Sequence, residues 1–131
     1  MLVVDASVVA PLVADGGPDG AALRERLRGE RIAGPDLLRL EVMSVVRRQL
    51  LAGELDTRRA SHAIDDLLEL PLVVYPSSAL LRRAWSLREN VTPYDACYVA
   101  LAEALECTLL TADARLGRAP GSRCAIEVVG G

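Results

Sequence analysis

Lysine is absent from these 131 residues, and all fifteen basic side chains are arginine. That removes the P-loop lysine, Schiff-base chemistry, and the lysine with which phosphoaspartate enzymes hold a phosphoryl group. Phenylalanine is also missing and aromatic residues make up only 3% of the chain, too few for a surface that stacks single-stranded bases. The one histidine, His62, has no partner at metal-ligand spacing and reads as solvated or paired locally. Three scattered cysteines without a Cys-x-x-Cys pair give neither a zinc site nor a disulfide framework, and fit a reducing, cytoplasmic setting. A net charge of −3 offers no bulk attraction to nucleic acid. The apolar opening, Met1 to Ala14, lacks a basic n-region and is interrupted by Asp5 and Pro11, so neither a signal peptide nor a membrane span is expected.

Half of the residues are apolar, chiefly Leu, Val and Ala, which suits helices of small residues packed on a sheet. The length fits one domain over residues 1–131, enough to bury a core without staples. Strand and helix patterns alternate. Met1 to Val4 is an apolar strand ending at Asp5, and Ser7 is placed to cap a short helix to about Val13. Gly16 to Gly20 is a turn cluster, Ala21 to Arg28 is helical, and Arg31 to Ala33 is a brief strand. Gly34-Pro35-Asp36 opens a helix to about Ala52, with Asp36 as its cap; Asp56 caps another to about Leu70, and the two can form an antiparallel hairpin. Leu72 to Tyr75 is a strand, Ser77 to Glu89 a helix, Ala114 to Gly117 a helical turn, and Ala125 to Val129 a last strand. This order predicts an α/β fold, a three-layer α/β/α sandwich around a central parallel sheet of about five strands.

Residues 92–113 organise the rest. Thr92 is a good N-cap, Pro93 suits the first helical position, and Asp95 is the acid of a capping-box-like pattern. Ala96 to Leu105 is a nearly unbroken apolar run, so this helix is buried on most sides. Cys107 to Thr111 reads as a buried strand with Asp113 just past its end. A helix feeding the next parallel strand runs antiparallel to it, so Asp95 and Asp113 share the carboxyl edge of the sheet, where open α/β folds place their ligands. Asp5 follows another strand and lies at that edge too.

Glu41 stands in Leu37-Leu38-Arg39-Leu40-Glu41-Val42-Met43-Ser44-Val45-Val46, where helical spacing sets Leu37, Leu38, Leu40 and Val45 around it. A carboxylate in a core-facing stripe needs a partner such as Arg or a metal ion. Four acids, Asp5, Glu41, Asp95 and Asp113, with no His or Cys at ligand spacing, describe a hard-oxygen site suited to Mg²⁺ or Mn²⁺. Asp5, Asp95 and Asp113 would hold the principal ion, and Glu41 would complete its shell or orient the attacking water. Metal-assisted phosphodiester hydrolysis follows from such ligands.

Val-Val-Asp5-Ala-Ser7, Glu41-Val in an Arg-rich helix, Tyr94-Asp95-Ala-x-Tyr-Val-Ala-Leu-Ala and Leu-Leu-Thr111-Ala-Asp113-x-Arg-Leu together resemble a PIN-domain protein, and more narrowly the VapC-type ribonuclease toxins of toxin–antitoxin systems. The resemblance spans essentially the full chain. It implies a Mg²⁺- or Mn²⁺-dependent endoribonuclease acting on RNA, a homodimer, and neutralisation by a VapB-type antitoxin. Asp5, Glu41, Asp95 and Asp113 match the family's acidic quartet, and Ser7 and Thr111 match hydroxyls that support it. Ser44 departs from the Asn common three residues after the helix glutamate, which puts one supporting hydrogen bond in doubt.

A non-catalytic PIN-like module that binds RNA or a partner is the alternative, and intact acids at all four places count against it. A phosphoaspartyl enzyme is disfavoured by the missing lysine. Arg47-Arg48, Arg58-Arg59 and Arg82-Arg83 read as solvated faces, some able to meet phosphate beside the acids. Trp85, with Leu81 one turn earlier, fits a core or dimer-face anchor.

Overall fold

The structure, a computed structural model, describes residues 1–130. Five strands form one wholly parallel sheet, β1 (Leu2–Val4), β2 (Ile32–Pro35), β3 (Leu72–Tyr75), β4 (Thr108–Thr111) and β5 (Ile126–Val128), in the order β3-β2-β1-β4-β5. β1 is central, so its Leu2, Val3 and Val4 are covered on both faces, as an all-apolar parallel strand requires. Between β1 and β2 the chain forms α1 (Ala6–Ala14) and α2 (Pro18–Arg26). Between β2 and β3 it forms α3 (Leu38–Leu51) and α4 (Thr57–Glu69). Both connections step the same way across the sheet, and α1, α3 and α4 pack on one another. After β3 the chain crosses back over β1 through α5 (Leu81–Ser86) and α6 (Pro93–Ala104), and α7 (Ala114–Arg118) leads to the edge. Right-handed crossovers stepping the opposite way put these helices on the other face, where α6 packs against β1, β2 and β4. The expected three-layer sandwich is therefore present. No helix among the described residues is long and apolar enough to cross a membrane.

This topology sets the site. The chain leaves β1 toward β2 but leaves β4 toward β5, so a crevice opens between the carboxyl ends of β1 and β4, the switch point where such sheets bind ligands.

Several local expectations need correction. Ser7 is not a cap: α1 begins at Ala6 with Asp5 in the capping position, and the Asp5 carbonyl accepts from the amides of Val8 and Val9. α2 begins at Pro18, three residues earlier than the glycine cluster suggests, because proline at the first position needs no hydrogen-bond acceptor for its nitrogen. β2 runs on through Gly34 and Pro35, and the Asp36 amide bonds the Tyr75 carbonyl, so α3 cannot start before Leu38 and Asp36 caps nothing. Gly34 is required there, since a Cβ would lie 2.5 Å from Leu38 Cδ2. The helix expected over Ser77 to Glu89 is a 3₁₀ turn over Ser77–Leu80 followed by the short α5. Leu40 faces solvent at 70% exposure, the inward stripe of α3 being Leu38, Val42 and Val46. Trp85 is no core anchor either, being 66% exposed with the Arg88 guanidinium 4.9 Å over its ring.

Candidate active site

Asp5 is a buried carboxylate in an otherwise apolar sheet centre, and both of its oxygens are bonded. Oδ1 accepts from the Ser7 hydroxyl at 2.5 Å, and Oδ2 from the Thr111 hydroxyl at 2.5 Å. Each hydroxyl carries one hydrogen and can also accept. The Ala112 amide donates to Ser7 Oγ at 2.8 Å and the Asp113 amide to Thr111 Oγ1 at 3.1 Å. Each amide takes one of a hydroxyl's two lone pairs, and the 2.5 Å contacts direct both hydroxyl hydrogens to Asp5. Ser7 and Thr111 therefore hold one carboxylate between them, with their own oxygens 3.3 Å apart. This clamp joins the end of β1, the start of α1 and the end of β4 across the switch-point crevice.

Glu41, half-buried in the first turn of α3, accepts a short hydrogen bond from the hydroxyl of Tyr98 in α6. Its protein partner is thus a phenol from the opposite helix layer and not the arginine considered from the sequence. Tyr98 is among the largest fully buried side chains, and burial followed by the Glu41 bond holds its phenol far above the usual tyrosine range. Tyr98 stands in the apolar run of α6 and reads as core; the signal that could have found it is its place three residues after Asp95, on the same helix face.

Asp95 lies in the first turn of α6, capped by Thr92, whose hydroxyl oxygen accepts the Asp95 amide at 3.2 Å. Asp113 caps α7, accepting the Arg115 amide at 2.9 Å. The four acids feel one another. Burial is the main force raising the Asp5 carboxyl, opposed by Ser7 and Thr111 and reinforced by the charge of Asp95. Glu41 is raised by burial, then by Asp95 and Asp5, against the Tyr98 bond. Asp95 is raised by burial and by Asp113, and lowered by Thr92 and Arg115. All three shifts disfavour the charged form, chiefly through burial and in smaller part through repulsion among the acids. Among the described residues no three acid, His or Cys side chains stand close enough to form a ready-made cage. The donor set still fits a hard cation, since Mg²⁺ takes few protein carboxylates and keeps water in its remaining positions. Asp5 is fixed as an acceptor, and Asp95 donates nothing to a neighbour.

Of the arginines considered from the sequence, Arg59 is committed to the Ala14 carbonyl, and Arg83 to Glu103 and the Gly121 carbonyl. Two others, Arg88 and Arg115, line a cleft of about 490 Å³ with Asp95 and Asp113. Ser44 is exposed, and so is His62.

A parallel α/β/α sandwich with an acid-lined crevice at its switch point defines the class. The chain belongs to the PIN-domain family, whose model matches residues 2–122, and within it to the VapC ribonucleases. It is 44% identical over 128 residues to Ribonuclease VapC1 of Mycobacterium tuberculosis, covering 97% of this chain and 96% of that relative. Among solved structures it is similar to M. tuberculosis VapC20, described as a Sarcin-Ricin loop cleaving toxin. That match has a TM-score of 0.70 and 16% identity, over 90% of this chain and 94% of that one. It is also similar to VapBC2 of Rickettsia felis, solved with a DNA fragment from its promoter, with a TM-score of 0.67, 15% identity and 97% of each chain covered. At these identities the structural likeness is one of fold.

Proposed function

We propose that this chain is an endoribonuclease toxin that hydrolyses phosphodiester bonds in structured RNA, depends on Mg²⁺ or Mn²⁺, and is neutralised by a VapB-type antitoxin. The observation that carries the reading is the Asp5 carboxylate, buried at the switch point, locked by two hydroxyls and electrostatically coupled to Glu41 through Asp95. Membership among VapC ribonucleases supplies the reaction class, and the Sarcin-Ricin loop activity named for VapC20 supports a structured RNA as substrate. VapBC2 supports a protein partner of the VapB kind. A module that only bound RNA would have no use for carboxylates held in mutual repulsion.

Asp5, Asp95 and Asp113 would hold the ion, and Glu41 would orient water toward the phosphorus. When bound, the ion supplies Lewis-acid polarisation of the phosphoryl group and offsets the negative charge of the transition state. The chain's own part is positional. Ser7 and Thr111 stop the Asp5 carboxylate from rotating, so its unbonded lone pairs keep one direction. Tyr98 does the same for Glu41 and leaves its second oxygen free to accept a proton from water. Thr92 and the first turn of α6 fix the backbone that carries Asp95.

Incubation with total RNA and Mg²⁺ should generate discrete new 5′ ends, and excess EDTA should abolish them. Full activity in EDTA would rule the metal out. We also propose a homodimer: Leu81 and Trp85 lie one turn apart on α5 and both are exposed, so they leave an apolar face uncovered in the monomer. Sedimentation at micromolar concentration should return twice the 14.0 kDa chain mass, and a clean monomer would contradict it.

A further inference from the structure

An acidic site confronts a polyanion with repulsion, and net charge −3 gives no relief from the rest of the molecule. The cleft beside the acids supplies a local remedy. Its lining joins Glu89, Asp95 and Asp113 to Arg88 and Arg115, together with Asn90 and Thr92. The Arg115 side chain is 88% exposed, and its one ion pair among the described residues is a long one, Nε to Asp113 Oδ1 at 3.6 Å. A surface pair of that length holds a guanidinium weakly. Its charge nevertheless reaches Asp95. Arg88 is held more firmly, with Nη1 on the Trp85 carbonyl at 3.1 Å and its plane over the indole. The cleft lining thus carries a tethered cation, Arg88, and a nearly free one, Arg115, which lies beside Asp113.

We propose that this cleft is a phosphate subsite, in which Arg115 and Arg88 bind a backbone phosphate of the RNA strand next to the one being cleaved. The inference rests on the nuclease reading given above. It assigns Arg115 a positioning role: a guanidinium meets two phosphate oxygens in a fork, and leaves a weak ion pair to do so. Arg115 is the arginine of the Asp113-x-Arg-Leu motif, whereas Arg88 stands in no motif.

The test follows RNA binding as well as cleavage. A labelled RNA hairpin is titrated by fluorescence anisotropy in EDTA at several salt concentrations, and cleavage is measured separately with Mg²⁺. Arg115→Ala should weaken binding and raise KM by about tenfold, with kcat changed by no more than about twofold. The slope of log affinity against log salt should fall by about 0.7, the share of one phosphate contact on a single strand. Arg115→Lys should keep that slope while losing part of the affinity, and Arg88→Ala should act like Arg115→Ala. Arg28→Ala, which removes an exposed arginine paired with Glu25 on α2, should alter neither quantity. If Arg115→Ala lowers kcat while leaving KM and the salt slope intact, Arg115 serves Asp113 alone and the subsite is wrong. Unchanged behaviour of the variant beside a wild type that cleaves RNA also overturns the subsite and spares the nuclease reading. Arg115-dependent RNA binding by a wild type that never cleaves would do the reverse.

Discussion

Replacing Asp5 with Asn is expected to reduce RNA cleavage by more than about a hundredfold, beyond the 10–100-fold typical of groups that only support a metal ligand. The substitution keeps size and one acceptor but turns the other oxygen into an NH₂ donor. One of the two hydroxyls, Ser7 or Thr111, would then face a donor at a distance now filled by a 2.5 Å bond. A cation would lose a negative ligand at the same time. Glu41→Gln, Asp95→Asn and Asp113→Asn should fall in the same class. Tyr98→Phe should lie in the milder range, since it frees Glu41 to rotate without removing a ligand. Asp65→Asn, on the exposed face of α4, should stay near wild type. Initial rates on one RNA at saturating Mg²⁺ separate the groups. If Asp65→Asn damaged cleavage as much as Asp5→Asn, the site would be misplaced.

The second large effect is on stability, and its sign is opposite to that of most substitutions at buried positions. Asp5, Glu41 and Asp95 have carboxyls raised above their ordinary values of 3.8, 4.5 and 3.8. For an acid whose folded-state value is raised, the folded chain binds the proton more tightly than the unfolded one. The resulting stability is full below the unfolded value and is lost as pH rises through the folded one. Metal-free protein therefore carries a penalty at neutral pH from these three groups. Glu103 and Glu127 oppose it, because Arg83 and Arg26 hold their carboxyls low and their contribution is lost as pH falls. Comparing wild type with Asp95→Asn removes that background. The variant should melt about 2–5 °C higher in EDTA at pH 7, and the gap should close toward pH 4. With Mg²⁺ at a hundred times its Kd, wild type should gain roughly 2.7 kcal/mol by mass action and the variant far less. A variant that melts lower in EDTA yet gains as much from Mg²⁺ would show Asp95 to be a scaffold residue.

The parts of this architecture that could be read from sequence are those set by local pattern. β1, β3, β4 and the long α6 were legible because unbroken apolar runs bounded by Asp, Pro or Thr leave few alternatives. The convergence of Asp5, Asp95 and Asp113 followed from the rule that parallel strands end on one edge. What escaped depended on contacts between layers. The Tyr98–Glu41 pair joins residues 57 apart, and the place of Tyr98 one turn after Asp95 points to the site without naming Glu41 as its partner. Ser7 reads as a cap because a serine near a helix start usually is one; here α1 begins at Ala6, and the Ser7 hydroxyl donates to Asp5 while its oxygen accepts the Ala112 amide. The late start of α3 depended on Gly34 and Pro35 finding partners in β3, a pairing invisible until the strand order is known. Arg115 stands in the Asp113-x-Arg-Leu motif, but its place in the cleft with Arg88 depends on packing between α5, α6 and α7.

The clamp on Asp5 also bears on when, as the chain is made, the acidic centre can form. Its two halves sit at residues 5–7 and 111–113, so almost the whole chain lies between them. A nascent chain that has emerged only as far as α6 already carries Asp5, Glu41 and Asp95, but β1 then lacks its neighbour on one side. Asp5 has lost the Thr111 hydroxyl, and Ser7 has lost the amide that directs its hydrogen. The centre is complete only when β4 pairs with β1. Chains stalled or truncated before residue 113 should lack that complete centre and, with it, the activity proposed above.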